Sequence, residues 1–234
     1  MARGEQFDVI GFDADDTLWR SEDYFTESEQ LFVERVGPYA PTGVDVLDAL
    51  RATELGNVAI SGYGVKAYAL SMVQAAVTST RGEVPSSVIG ELVDHVHEIL
   101  IRPVELLDGV PETLASVGNT HRLILITKGD LVHQFRKVRT SGLEHHFEHI
   151  EIVLEKDVET YARVLRQHSI DPVRFLMVGN SIKSDILPVL ELGGHGAHIP
   201  YHVTWSHEVV RDHNGGFTEL TAIADLFPWL QSNK

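Results

Sequence analysis

Residues 7–19 read F-D-V-I-G-F-D-A-D-D-T-L-W, and this stretch decides the fold class of the chain. Its first half, residues 7–12, is a short apolar run with the length and composition of a buried β-strand. The carboxylates of Asp13, Asp15 and Asp16 follow at once, and such a polar cluster predicts a turn. The stretch therefore predicts a buried strand that delivers acidic side chains to its carboxyl end.

The region after this turn is helical and contains no convincing strand. Apolar residues recur at helical spacing, and glycine and proline mark the ends of the segments. Gly56 is expected to end the second of these helices. The predicted helices cover residues 22–36, 44–55, 63–77 and 88–101.

Beyond Leu107 the pattern changes to strands that alternate with helices. Strands are predicted over residues 121–126, 149–153, 175–178 and 197–199, and helices over 131–139, 158–167 and 182–192. The last of these helices is expected to end at Gly193-Gly194. Such alternation predicts an α/β fold with a doubly wound parallel sheet. The first strand belongs to that sheet, so we expect an α/β core of residues 1–19 and 105–234, interrupted by a helical domain of residues 20–104.

Composition excludes several classes of function. The chain has 234 residues, no cysteine and a net charge of −15. Thiolate metal sites and disulfides are therefore excluded, and a nucleic-acid polymer or an anionic membrane is an unfavourable partner for so acidic a protein. We find no apolar run of membrane-spanning length and no targeting signal, so the expected location is the cytoplasm. Oligomeric state cannot be predicted from these features.

Polar side chains follow the first four of the predicted strands. Thr127 and Lys128 come after the second, Lys156 after the third, and Asn180 and Asp185 after the fourth. Ligands of open parallel sheets bind outside the carboxyl ends of the strands. We therefore expect these groups and the acidic turn at one edge of the sheet.

The order of these groups resembles the haloacid dehalogenase superfamily. The resemblance rests on Asp-x-Asp-x-Thr after the first strand, Thr127, Lys156, and Gly-Asn-x-x-x-x-Asp from Gly179 to Asp185. It extends from Phe7 to about Pro200 and includes the helical insertion, which falls where the family has its type-one cap. It implies a Rossmann-like core with a helical cap.

The resemblance also implies catalytic roles. Asp13 would be the nucleophile that forms an aspartyl-phosphate, and Asp15 the general acid that then serves as general base. Thr127 would donate to a phosphoryl oxygen, with Lys128 also placed to bind substrate. Lys156 would hold both the nucleophile and the transferring group.

The same resemblance implies a magnesium site. Asp13, the carbonyl of Asp15, Asn180 and Asp185 would hold Mg²⁺, which takes oxygen ligands. Asn180 stands where the family often has Asp, so the division of metal contacts between Asn180 and Asp185 is open. Asp16 stands where Gly is common and adds a carboxylate to the turn.

The predicted function is a Mg²⁺-dependent phosphomonoesterase that acts on a small phosphorylated metabolite. Asp15 favours this chemistry over dehalogenation, because halide leaves without a proton. Two alternatives remain: a phosphomutase or other phosphotransferase of the same fold, and a catalytically weak binding or signalling module.

Overall fold

The chain consists of two compact units. In this computed structural model, which describes residues 7–203, 205, 208, 210 and 215–233, one unit comprises Met1–Glu22 and Val104–Lys234. The other, Asp23–Pro103, is inserted into it. These boundaries differ by at most three residues from the predicted ones. None of the helices in the described part of the chain combines the length and apolarity needed to cross a membrane.

The inserted unit is helical. Its helices are α1 (Glu22–Val36), α2 (Val46–Ser61), α3 (Val65–Ser79) and α4 (Ser86–Ile101), and α1 begins in the last residue of the other unit. They share a core that includes Phe32, Leu50, Met72 and Leu92. The predicted end of α2 at Gly56 is wrong. The helix continues to Ser61 and ends at Gly62, whose φ of 71° suits a residue without a Cβ.

The other unit is built on a sheet of six strands. They are β1 (Val9–Phe12), β2 (Arg122–Lys128), β3 (His149–Val153), β4 (Phe175–Gly179), β5 (His195–His198) and β6 (Thr218–Glu219). All neighbours are parallel, in the spatial order β3-β2-β1-β4-β5-β6. The predicted parallel, doubly wound sheet is confirmed.

Strand β1 lies at the centre of the sheet and is buried throughout. Phe12 pairs with Leu125 of β2 on one side and with Val178 of β4 on the other. The chain builds the sheet outward from β1 through β2 and β3, then returns to the other side of β1 with β4. A reversal of this kind opens a crevice at the carboxyl ends of the strands, and ligands of doubly wound sheets bind there.

Two apolar cores cover the two faces of this sheet. Ile10 and Phe12 belong to one core, whereas Val9 belongs to the other, as expected for side chains that alternate along a strand. In the described part of this unit, the helices that pack on the sheet are α5 (Val110–Gly118), α6 (Leu131–Thr140), α7 (Val158–Gln167), α8 (Leu187–Glu191) and α9 (Leu226–Ser232).

Several elements differ from the sequence-based prediction. The helices α5 and α9 and the strand β6 were not predicted. Both helices contain a proline in their first turns, Pro111 and Pro228, and proline ordinarily marks a loop. The helix predicted over residues 182–192 is instead a π-helical turn, Ile182–Ile186, followed by α8. Gly193 follows α8 with a φ of 82°, so the predicted glycine end of this helix is confirmed.

Candidate active site

The carboxyl ends of β1 and β4 and the loop after β3 bring three charged side chains together. The Nζ atom of Lys156 contacts Oδ1 of Asp13 and lies 2.6 Å from Oδ1 of Asp185. All three residues are buried. Gly179 makes this approach possible, because a Cβ atom there would lie only 2.2 Å from Oδ2 of Asp185. The structure therefore joins Asp13, Lys156 and Asp185 in one charged cluster.

Burial and the charge of the neighbouring group of opposite sign shift the pKa values of Asp13 and Lys156 in opposite directions. Burial raises the pKa of Asp13 to about 7, the positive charge of Lys156 opposes that rise, and the negative charge of Asp185 adds to it. Burial alone would lower the pKa of Lys156, but the charges of Asp13 and Asp185 outweigh burial and raise it. Lys156 is therefore an ammonium that the carboxyl groups of Asp13 and Asp185 share.

A second group of oxygens lies on the other side of Asp13. The end of the Asn180 amide lies 3.2 Å from Oδ2 of Asp13, 3.2 Å from the carbonyl oxygen of Asp15 and 3.3 Å from Oγ1 of Thr17. With nitrogen at that position the amide donates hydrogen bonds to these atoms; with oxygen there, oxygens converge on one point. One carboxylate, one carbonyl and one amide oxygen form a donor set of the kind that Mg²⁺ accepts.

Asp185 does not join this oxygen group. Its Oδ1 atom faces Lys156, and its Oδ2 atom accepts a hydrogen bond of 2.9 Å from the backbone N–H of Ser181. The structure thus places Asn180 beside the oxygens of Asp13 and Asp15, and Asp185 beside Lys156. Among the residues that the structure describes, no group of three or more His, Asp or Glu side chains is arranged to hold a metal ion.

Asp15 has surroundings of a different kind. Its Oδ1 atom lies 2.6 Å from Nε1 of Trp19 and 2.5 Å from Nζ of Lys137, and its Oδ2 atom lies 2.9 Å from Nε2 of Gln134. Burial would raise the pKa of Asp15, but the charge and hydrogen bond of Lys137, with those of Gln134 and Trp19, lower it. Asp15 is therefore held as a carboxylate by three donors.

The two predicted substrate contacts at the end of β2 point to different neighbours. Oγ1 of Thr127 is buried and accepts a 2.8 Å hydrogen bond from Gln134. The ammonium of Lys128 lies 2.5 Å from Glu208 and 3.0 Å from Oγ of Ser184. Both residues lie within β2, which extends two residues beyond the predicted strand.

Three of these partners could not be identified from the sequence. Gln134 and Lys137 lie on α6, and their only signal is a spacing of three residues, which places them on one face of a helix. Glu208 accepts hydrogen bonds from Ser181 and Ser184, at 2.5 and 2.7 Å, and so links the loop after β4 to Lys128. No sequence pattern surrounds Glu208.

The carboxylate of Asp16 binds backbone amides and does not join the oxygens near Asn180. Its backbone has a φ of 63°, and its Oδ1 atom accepts hydrogen bonds from the backbone N–H groups of Ser21 and Glu22, at 2.8 and 3.0 Å. These amides lie at the start of α1. Asp16 therefore satisfies donors at a helix start, as side-chain caps do.

The chain is similar to known proteins in sequence and in fold. The sequence profile of the haloacid dehalogenase-like hydrolases matches residues 7–193. A crystal structure of a haloacid dehalogenase-like family hydrolase from Xanthomonas campestris is 36% identical, with a TM-score of 0.87. That match covers 98% of this chain and 93% of the other. Among curated proteins, none matches the chain.

Two more distant structures share the fold. A predicted phosphoglycolate phosphatase from Haemophilus somnus 129PT is 18% identical, with a TM-score of 0.64 over 98% of this chain and 99% of the other. L-2-haloacid dehalogenase from Xanthobacter autotrophicus is 14% identical, with a TM-score of 0.66 over 97% and 100%. The names of these two proteins denote different reactions, so the fold alone does not choose between them.

Proposed function

Because the chain belongs to the haloacid dehalogenase-like hydrolases, we propose that it is a Mg²⁺-dependent phosphomonoesterase that hydrolyses a small phosphorylated metabolite. The carboxylate of Asp15, two residues beyond Asp13, is the observation that carries this choice. An ester oxygen needs a proton as it leaves, whereas a halide does not. The net charge of −15 supports a small substrate over a polyanionic polymer.

In the first step, a carboxylate oxygen of Asp13 attacks phosphorus while the bond from phosphorus to the leaving oxygen breaks. The protonated form of Asp15, which the donors around it disfavour in the free protein, gives its proton to that oxygen and becomes a carboxylate. Lys156 orients Asp13 and favours its anionic form. Thr127 accepts its hydrogen bond from Gln134 through Oγ1, which leaves the hydroxyl proton for a phosphoryl oxygen.

In the second step, the carboxylate of Asp15 takes a proton from water as the water oxygen bonds to phosphorus. The bond between phosphorus and Asp13 breaks at the same time, so Asp13 is regenerated and inorganic phosphate leaves. Asp15 is again protonated and ready for another ester. The donors around Asp15 favour its carboxylate form, which is the form that this step requires.

The residues present fit a magnesium ion. Oδ2 of Asp13, the carbonyl of Asp15 and the amide oxygen of Asn180 would hold it, since these groups converge as described. Bound there, Mg²⁺ would offset the negative charge of the phosphoryl oxygens. We assign to the helical unit Asp23–Pro103 the role of a cap that excludes water and selects the leaving group.

The proposal is tested by phosphate release from an aryl phosphate with Mg²⁺, with EDTA and with the Asp13→Asn variant. EDTA and the substitution should each remove turnover. Asp94→Asn, at an exposed position on α4, is the matched control and should retain it. Turnover that survives both EDTA and Asp13→Asn would exclude this mechanism.

A second candidate, 2-haloacid dehalogenation, is favoured by one observation. Three donors hold Asp15 as a carboxylate, and attack of Asp13 on carbon with loss of halide needs no proton from it. Halide release from 2-chloropropionate is the matching assay. Halide release without phosphate release, unaffected by Asp15→Asn, would replace the first proposal with this one.

A further inference from the structure

One face of helix α6 meets the side chain of Asp15. Gln134 and Lys137 are three residues apart and therefore project from the same side of the helix. Gln134 reaches one carboxylate oxygen of Asp15, and Lys137 reaches the other. A helix is a rigid support, so these two contacts fix the position and the rotation of the carboxylate together.

The amide of Gln134 is placed as a donor. Its Nε2 atom lies 2.9 Å from Oδ2 of Asp15, 2.8 Å from Oγ1 of Thr127 and 2.9 Å from the carbonyl oxygen of Lys128. Its Oε1 atom is buried without a hydrogen-bond partner among the described residues. Burial of an unpartnered oxygen is unfavourable, and an apolar side chain of the same shape would avoid it. The contacts of Nε2 therefore explain why an amide serves at this position.

Lys137 adds a charge to the same support. Its side chain is 13% exposed, and its Nζ atom lies 2.5 Å from Oδ1 of Asp15. Nε1 of the buried Trp19 donates to the same oxygen. The side chain of Asp15 is 28% exposed, although donors contact both of its carboxylate oxygens.

We propose that Gln134 and Lys137 are positioning residues for Asp15. Gln134 bridges the acid–base carboxylate and the hydroxyl of Thr127, so the groups that act on the leaving oxygen and on the phosphoryl oxygen keep a fixed spacing. Lys137 prevents rotation of the carboxylate away from the substrate. The proposal rests on the proposed function, because it needs Asp15 to act on the substrate.

The test uses Lys137→Met and Gln134→Met, with Arg136→Met, exposed on the same helix, as the matched control. Two substrates are compared, an aryl phosphate with a good leaving group and an alkyl phosphate with a poor one. Each test variant should lower kcat on the alkyl phosphate by about tenfold or more and change KM by less than about threefold. The control should match the unsubstituted protein, and Lys137→Arg should recover part of the loss.

The same substitutions are then made in Asp15→Asn and measured on the aryl phosphate. If both residues act through Asp15, their effects on kcat should fall to less than about twofold in this background. Losses of equal size in both backgrounds would overturn the proposal, as would losses confined to KM. Melting temperatures identify a variant that fails to fold. If one does, the kcat values of Lys137→Arg and of the variant that folds test the proposal instead.

Failure of this proposal is distinguishable from failure of the proposed function. If Asp15→Asn lowers kcat on the alkyl phosphate while Lys137→Met and Gln134→Met do not, Asp15 acts without these supports and the proposal is overturned. If Asp15→Asn has no effect on the alkyl phosphate, the assigned role of Asp15 is wrong and the proposed function fails with it.

Discussion

Asp13 and Asp15 are two residues apart in the chain and lie in opposite electrostatic surroundings. Asp13 shares the ammonium of Lys156 with Asp185 in a buried cluster, and its pKa is raised to about 7. Among the described residues, those that hydrogen-bond the Asp15 carboxylate are donors, and the pKa of Asp15 is lowered. The side chain of Asp13 is 9% exposed and that of Asp15 is 28% exposed.

This difference shows how one residue type can fill two roles in one turn. The environments of these two carboxylates push their pKa values apart, and a cation bound beside Asp13 would lower the pKa of that nucleophile. The strand ends around Asp13 place the ammonium of Lys156 on one of its carboxylate oxygens. They place the carbonyl oxygen of Asp15 and the amide of Asn180 near the other, where a metal cation could bind. Helix α6 holds Asp15 from one side and leaves part of it accessible. The predictions below alter these two surroundings separately.

Loss of Lys156 should have the largest effect. In Lys156→Met two carboxylates, Asp13 and Asp185, would remain buried without their cation, which costs about 3–5 kcal/mol of unfolding free energy. Turnover of an aryl phosphate should fall by about a thousandfold. Urea unfolding and steady-state kinetics measure the two effects, with Lys66→Met, exposed on α3, as control. A stable variant with normal turnover would show that this cluster is not the reaction centre.

The effect of Asp15→Asn on kcat should depend on the leaving group of the substrate. On an alkyl phosphate the loss of a general acid should lower kcat by about 10²–10⁴-fold. On an aryl phosphate the loss should be smaller, because the leaving oxygen needs less protonation. Phosphate release from the two esters measures the contrast. Equal losses on both esters would mean that Asp15 does not protonate the leaving group.

Asn180→Asp should strengthen the oxygen group beside Asp13. The substitution adds a negative charge where the end of the Asn180 amide lies 3.2 Å from Oδ2 of Asp13, so affinity for Mg²⁺ should rise by several-fold, about 1 kcal/mol in binding free energy. Calorimetric titration with Mg²⁺ measures this directly, independently of turnover. Asp48→Asn, in the first turn of α2, is the control, and its affinity for Mg²⁺ should not change. An unchanged affinity in Asn180→Asp would place the ion elsewhere.

The predicted effect of Glu208→Gln is on stability, and it should depend on pH. Burial would raise the pKa of Glu208, but Lys128, Ser181 and Ser184 outweigh burial and lower it to about 2. A folded pKa below the unfolded one stabilises the protein above about pH 4.5, and this contribution disappears as pH falls toward 2. The variant should lose about 1–3 kcal/mol at pH 7.

Urea unfolding at pH 7 and at pH 3 measures this dependence. The gap in unfolding free energy between the unsubstituted protein and Glu208→Gln should narrow at the lower pH. A gap that stays constant or widens would show that the ionised carboxylate is not the source of the stabilisation.

The sheet and its polar edge were predictable because both rest on short-range patterns. Buried strands are recognisable as apolar runs, and parallel order follows from their alternation with helices. Convergence of Asp13, Lys156 and Asp185 then follows from topology alone. Helix ends were less predictable: Gly56 continues a helix because nothing there requires a positive φ, whereas Gly62 adopts one and ends it.

The supports of the site were not predictable, because they depend on contacts between distant segments. Gln134 and Asp15 are 119 positions apart, and Glu208 and Lys128 are 80 apart. Neither Gln134 nor Glu208 belongs to a pattern that distinguishes it from an ordinary polar surface residue. Asp16 illustrates the converse: its position in the acidic turn suggests chemistry, whereas its carboxylate binds the amides at the start of α1.

The most direct test of the central claim is to trap the covalent intermediate. Turnover of an aryl phosphate is quenched with acid within the first turnovers, and the peptide containing residues 7–19 is analysed by mass spectrometry. We expect one phosphoryl group on Asp13, at higher occupancy in Asp15→Asn, which lacks the base for its hydrolysis. Continued phosphate release with no phosphoryl group on Asp13 in either protein would contradict the account.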